Sequence, residues 1–143
     1  MSRVILTYGT FDLFHIGHLR LLERARALGD RLVVGVSTDE FNAQKNKRST
    51  IPYDHRRLIV QALRCVDATF PERSWSQKVA DIKAYEADVF VMGDDWAGKF
   101  DDLAEHCEVI YLPRTEDISS TRLNSSLDGA ARDALSAVTT QHR

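Results

Sequence analysis

Apolar residues in this chain fall into short solid runs separated by longer stretches with helical spacing. Val4-Ile5-Leu6, Leu32-Val33-Val34-Gly35-Val36, Ala68-Thr69-Phe70-Pro71, Val89-Phe90-Val91-Met92 and Glu108-Val109-Ile110-Tyr111-Leu112 read as five strands. Runs that are solid rather than alternating predict strands covered on both faces, as in a parallel sheet. Between the first two, Leu19, Leu22, Ala25 and Leu28 share one helical face, and Gly29-Asp30 is a stop signal. Ser37-Thr38-Asp39 caps a short helical piece around Glu40-Phe41. Residues 53–64 read as a helix with Leu58, Ala62 and Cys65 on one side, and further helices are expected over residues 74–85 and 123–127. Alternating strand and helix predicts βαβ units. The expected fold is α/β: a single domain over residues 1–127 with five parallel strands and helices on both faces and, by analogy with Rossmann-like, doubly wound sheets, the strand order 3-2-1-4-5. Residues 128–143, rich in Ala, Ser and Thr, are expected to form a frayed or disordered tail.

Composition narrows the function classes. A chain of 143 residues is enough for one core, and its formal charge of −2 gives no bulk attraction to nucleic acid or anionic membrane. The start, Met1-Ser2-Arg3, has no apolar run of signal-peptide or membrane-span length, so a cytoplasmic protein is expected. Cys65 and Cys107 match no metal or redox spacing and read as reduced core thiols.

The chemistry concentrates where the first strand turns into the first helix, at Tyr8-Gly9-Thr10-Phe11-Asp12-Leu13-Phe14-His15-Ile16-Gly17-His18. A helix start leaves amide donors unpaired at the positive end of the dipole, which is where phosphate binds. His15 and His18, three apart, share a face of the first turn, and Gly17 between them leaves the backbone open to a ligand. No further His or Cys cluster completes a zinc set. The loop Gln44-Lys45-Asn46-Lys47-Arg48-Ser49-Thr50-Ile51-Pro52 leaves the carboxyl end of the second strand, the sheet edge where ligands sit, and its cations suit phosphate. Arg114 followed by Ser119-Ser120-Thr121 at a later helix start is a second anion site on that edge. Gly93-Asp94-Asp95-Trp96 should flank the same crevice.

These segments resemble the cytidylyltransferases of the His-x-Gly-His nucleotidyltransferase superfamily, and within them the bacterial glycerol-3-phosphate cytidylyltransferases. The resemblance runs through Thr7-Tyr8-Gly9-Thr10-Phe11-Asp12, His15-x-Gly17-His18, Ser37-Thr38-Asp39-Glu40-Phe41-Asn42, residues 89–96 and Tyr111-Leu112-Pro113-Arg114-Thr115-Glu116, then Ile118-Ser119-Ser120-Thr121. It implies transfer of CMP from CTP to sn-glycerol 3-phosphate, giving CDP-glycerol for teichoic acid synthesis, with Mg2+ accompanying CTP and a homodimeric enzyme. It implies catalytic roles for His15, His18, Lys47 and Arg114. CTP contacts would come from Thr10, Phe11, His15, His18, Lys47, Asp95, Arg114, Thr115, Ile118, Ser119, Ser120 and Thr121. Lys45, Lys78, Arg56 and Trp75 would serve the glycerol phosphate, and no residue is assigned as a metal ligand. The chain departs from the family pattern at Asp117, where the motif has glycine; an acidic side chain there repels polyphosphate unless it turns away or meets the magnesium.

Three rival readings weigh against this one. A class I aminoacyl-tRNA synthetase shares His15-Ile16-Gly17-His18, but the chain is too short for an anticodon-binding domain and is not basic. A nucleotide sensor would bind CTP and release it unchanged, for which two histidines are not required. The same chemistry on phosphoethanolamine or an alditol phosphate differs only in an acceptor pocket that a linear string does not display.

Overall fold

The computed structural model describes residues 2–113. The segment Arg114–Thr121, the helix expected over 123–127 and the tail 128–143 lie outside the described residues. Within them, five strands alternate with helices: β1 Val4–Gly9, α1 Ile16–Arg26, β2 Arg31–Ser37, α2 Asp39–Gln44, α3 Tyr53–Gln61, β3 Ala68–Glu72, α4 Lys78–Ala84, β4 Val89–Gly93 and β5 Glu108–Leu112. All pairings are parallel, and the strand order is β3-β2-β1-β4-β5, as the sequence predicts. Leu6 stands opposite Val33 on one side and Phe90 on the other, so β1 is the middle of the sheet.

Both faces of the sheet are covered, which is why its central strands carry apolar residues on both sides. Ile5, Val34, Val36, Val89 and Val91 pack with Leu22 and Ala25 of α1 and Val60 of α3 on one face. Leu6, Tyr8, Val33, Phe70 and Phe90 pack with Ile82 of α4, Phe100 and Leu103 on the other. Aspartates close the free amides at the strand starts: Asp88 accepts from Val4 N at 2.8 Å and Asp67 from Leu32 N at 2.7 Å.

The structure revises several local expectations. In α3 the inward residues are Arg56 and Val60, while Leu58 is 62% exposed. The helix stops at Gln61, so Ala62 and Cys65 lie past its end, and of the three residues assigned inward only Cys65 touches the core. An arginine takes the inner face of α3, so the apolar positions of that helix do not mark the side it buries. The helix expected over 74–85 is a 3-10 turn, Trp75–Gln77, followed by α4. After β4, Asp94–Trp96 and Asp101–Glu105 form 3-10 turns too short to carry a period.

Arg56 ties these pieces together. It is 1% exposed. Its Nε donates to Ile51 O at 2.8 Å, its Nη1 to Thr10 O and Ser37 O at 2.8 Å each, and its Nη2 to Asp39 Oδ1 at 2.7 Å. It thus clamps the turn after β1, the end of β2, the start of α2 and the loop before α3. Arg56→Ala would leave three carbonyls and a carboxylate without this partner. We expect a loss of about 3 kcal/mol in urea-unfolding free energy. Arg56→Lys should recover little of it, because a single ammonium cannot reproduce the planar fork.

Candidate active site

The carboxyl ends of β1 and β4, at the point where the strand order reverses, open into a cleft of about 610 Å³. Its walls include Thr10, Phe11 and Asp12 after β1, His15 and His18, Lys47 and Arg48 of the cationic loop, and Gly93, Asp94, Asp95 and Trp96 after β4. The chain reverses sharply after β1. Phe11 and Leu13 hold φ of 56° and 49°, left-handed values that are uncommon for non-glycine residues and that concentrate at functional sites. The Phe11 ring lies over Gly9, where an added Cβ would come within 2.7 Å of it, so any side chain there would have to displace that ring. The two carboxylate oxygens of Asp12 accept from Thr50 N at 2.8 Å and Ile51 N at 2.9 Å. That pair of bonds fastens the cationic loop to the histidine turn.

The histidines close the start of α1 reciprocally. His15 is the N-cap, and its Nδ1 accepts from Gly17 N at 3.0 Å, while His18 Nδ1 accepts from His15 N at 3.2 Å. This is a capping box with imidazoles in both places usually held by hydroxyl and carboxylate. An imidazole whose Nδ1 accepts must carry its proton on Nε2 if it is neutral. Both are held toward the neutral form. Burial lowers the pKa of His15. Burial, with a smaller push from His15, lowers His18 to about 4, against the opposing pull of Asp12. The Phe14 and Phe11 rings, 5.2 and 5.7 Å from His18 between centroids, supply part of that desolvation. The two imidazoles are 4.0 Å apart. The turn therefore presents two uncharged N–H donors side by side, an arrangement suited to charge developing on phosphate oxygens.

The other assigned residues divide by place. Lys45, Lys78 and Trp75 gather beside the cleft: Lys45 Nζ donates to Ser37 Oγ at 3.2 Å, and Lys78 Nζ is 2.8 Å from Glu72. Tyr8 and Trp96 line the cleft and also touch this group, Tyr8 beneath Lys78 at 4.6 Å and Trp96 at 6.1 Å from Trp75. Burial lowers the pKa of Lys45. Arg56 sits behind the cleft as the clamp already described. Arg114, Thr115, Ile118, Ser119, Ser120 and Thr121 fall outside the described residues. Two residues at the site were not picked out from the sequence. Arg24 lines the cleft and donates to Pro113 O at 2.6 Å, next to the start of the Arg114 segment. Glu72 is a buried carboxylate at the end of β3; an acidic residue closing an otherwise apolar strand was its only signal. Among the described residues no group of three or more His, Cys, Asp or Glu could hold a metal ion by itself.

The sequence matches the Cytidylyltransferase-like family over residues 6–126. It is 58% identical over 125 residues to the glycerol-3-phosphate cytidylyltransferase of Bacillus subtilis (strain 168), covering 87% of this chain and 97% of that protein. It is 53% identical over 129 residues to the glycerol-3-phosphate cytidylyltransferase of Staphylococcus aureus (strain NCTC 8325 / PS 47), covering 90% and 97%. Among solved structures, the lipopolysaccharide core biosynthesis protein from Thermoplasma volcanium GSS1 aligns with a TM-score of 0.69 at 20% identity, over 81% of this chain and 100% of that one, a likeness of fold.

The neutral histidines make stability depend on pH. The native state keeps His18 unprotonated down to about pH 4, whereas the unfolded chain takes up that proton near 6.5. Between those values the unfolded state binds more protons, so stability falls as pH is lowered from 6.5 toward 4 and levels off below. His15 acts in the same direction. Urea unfolding across this window should show the slope, His18→Asn should flatten it, and an NMR titration should place the His18 midpoint near pH 4.

Proposed function

The chain belongs to the cytidylyltransferase-like family, and on that footing we propose that it transfers CMP from CTP to sn-glycerol 3-phosphate, giving CDP-glycerol and pyrophosphate. The observation that carries the chemistry is the pair of Nε2–H imidazoles at the helix start beside the cationic loop. The two relatives at 58% and 53% identity, each named for this activity, support the acceptor.

The reaction needs no general base. The nucleophile is a phosphate oxygen that is already anionic at neutral pH. It attacks the α-phosphorus of CTP in line, a new P–O bond forms, and the bond to the bridging oxygen of the β-phosphate breaks with its electron pair leaving on pyrophosphate. The barrier lies in bringing two anions together and in stabilising charge on the transferring group, which positioning and fixed dipoles can do. In this reading His15 and His18 donate from Nε2 to the α-phosphate region and the departing pyrophosphate. Lys47 and Arg114 offset charge on the β- and γ-phosphates. Thr10, Phe11, Asp95, Thr115, Ile118, Ser119, Ser120 and Thr121 surround the nucleotide. Lys45, Lys78 and Trp75 serve the acceptor, with Arg56 holding the frame behind them.

Mg2+ fits as an ion carried mainly by the nucleotide. Magnesium is commonly held by one or two carboxylates plus phosphate oxygens, and Asp94 and Asp95 on the cleft wall are the residues that would hold it. When bound it would neutralise phosphate charge. The same reading makes the enzyme a cytoplasmic homodimer that supplies teichoic acid synthesis. The exposed Leu58 and Ile59 on α3 support a contact with a second copy, and among the described residues no helix is long and apolar enough to cross a membrane.

Pyrophosphate release, measured for four nucleoside triphosphates against several phosphorylated alcohols, should be greatest for CTP with sn-glycerol 3-phosphate. Release with another acceptor only, or none with any, would refute the assignment. His18→Ala should lose about 2.7–4 kcal/mol of barrier lowering in kcat. It should also lose about 1 kcal/mol of stability with the cap while remaining folded. Lys45→Ala should chiefly raise KM for the acceptor; a change confined to CTP would reassign that lysine.

A further inference from the structure

Glu72 and Lys78 are each 4% exposed, and their side chains form an ion pair at 2.8 Å through Glu72 Oε2. The other carboxylate oxygen, Oε1, accepts from Ser37 Oγ at 3.0 Å. Ser37 Oγ accepts in turn from Lys45 Nζ at 3.2 Å. A hydroxyl has a single proton; given to Glu72, it leaves only lone pairs facing Lys45, so the relay has a fixed direction. One carboxylate thereby reaches two ammonium groups carried by different segments, Lys45 at the end of α2 and Lys78 at the start of α4.

The surroundings make this arrangement costly unless it is used. Lys45 Nζ lies 4.3 Å from the Phe41 ring centroid and Lys78 Nζ 4.6 Å from that of Tyr8. The half-exposed Trp75 stands over both ammoniums, at 5.4 and 5.1 Å. Two cations under one indole repel each other. A buried ion pair gives little stability over apolar residues of the same volume, so stability alone does not account for one here. Its effect is to set positions and charge. With Glu72 the group carries a net +1, keeps both ammoniums inward and still attracts a dianion.

We propose that Glu72 is a positioning residue for the acceptor side of the reaction. It holds Lys78 directly and Lys45 through Ser37, so that their charges meet the phosphate of the acceptor and not that of the nucleotide. The proposal rests on the assignment of Lys45 and Lys78 to the acceptor made above. Glu72 itself touches no substrate. Its removal acts through the lysines: without the carboxylate, one ammonium turns outward and the dianion meets a scattered rather than a focused charge.

Steady-state pyrophosphate release by the full chain, varying one substrate at a time, tests this. Glu72→Gln keeps the shape and removes the charge. It should raise KM for glycerol 3-phosphate by about tenfold or more, the scale of a lost hydrogen bond to a charged group. KM for CTP should stay within about twofold and kcat at saturating acceptor within about threefold, since the nucleotide-side donors are untouched. Ser37→Ala, which cuts only the branch to Lys45, should give a smaller rise of the same kind. Should E72Q not fold, Ser37→Ala carries the test alone, since it spares the buried Glu72–Lys78 pair and cuts only the branch to Lys45. An unchanged acceptor KM in a folded variant, or equal rises in both KM values, overturns the proposal. If the wild-type enzyme saturates with glycerol 3-phosphate and E72Q saturates at the same concentration, the role of Glu72 falls while the acceptor assignment stands. If the wild-type enzyme ignores glycerol 3-phosphate and uses another phosphorylated alcohol, the acceptor assignment falls and takes this proposal with it.

Discussion

The start of α1 depends on two hydrogen bonds that serve structure and chemistry at once. His15 Nδ1 accepts from Gly17 N, and His18 Nδ1 accepts from the backbone of His15. A helix start needs acceptors for its free amides. Serine and glutamate would meet that need and leave nothing over. Imidazoles meet it with one nitrogen and, by the same bond, force the proton onto the other. The cap therefore fixes the tautomer, and the tautomer fixes which atom can donate. Because Phe11 and Phe14 desolvate the second ring, the donors are uncharged as well as oriented. Oriented neutral donors need no reorganisation when charge appears in front of them.

Everything around the turn secures it. Asp12 binds the loop from 44 to 52 through the amides of Thr50 and Ile51, and Arg56 binds the same turn through Thr10 O. The first is an acceptor pulling on amides, the second a donor pulling on carbonyls. Together they hold a backbone with two left-handed non-glycine residues in place. The strain of such a turn is tolerable only where neighbours over-determine it. Here a buried guanidinium, bonded to three carbonyls and Asp39, and a carboxylate, bonded to two amides, do so.

What the chain declared in advance follows from this division. The five largely apolar runs mark the five strands, and their order was legible by analogy with doubly wound sheets. The histidine turn and Gly93-Asp94-Asp95-Trp96 were placed at the switch point by topology alone, and they line one cleft. Buried charge was not legible. Periodicity assigns inward faces to apolar residues, so α3 was turned toward Leu58 when its inner face belongs to Arg56. Glu72 was lost for a related reason. Its meaning lies in contacts with Ser37, from a neighbouring strand, and Lys78, from the following helix, and no spacing rule connects the three. Arg24 reads as one more cation on an amphipathic helix, and its contact with the Pro113 carbonyl, just past β5, shows only in the fold.

The histidine pair in the cleft and the lysine pair beside it also differ in how they treat charge, and the difference matches the roles proposed for them. On the histidine side, desolvation removes positive charge and leaves dipoles. On the lysine side, Lys78 is paired with Glu72 at 2.8 Å, and although burial lowers the pKa of Lys45, Glu72 acts on it in the opposite sense. A transferring phosphoryl group gains little from a fixed cation that already binds the ground state equally well; it gains from donors whose contacts tighten as charge moves. An incoming phosphate dianion presents the reverse problem, because it must first be drawn toward another anion, and only net positive charge does that. In the proposed reaction, neutral imidazoles in the cleft and compensated ammoniums beside it would answer these two demands separately. A cleft lined throughout with arginine and lysine would bind both substrates tightly, and for that reason would lower the barrier between them less.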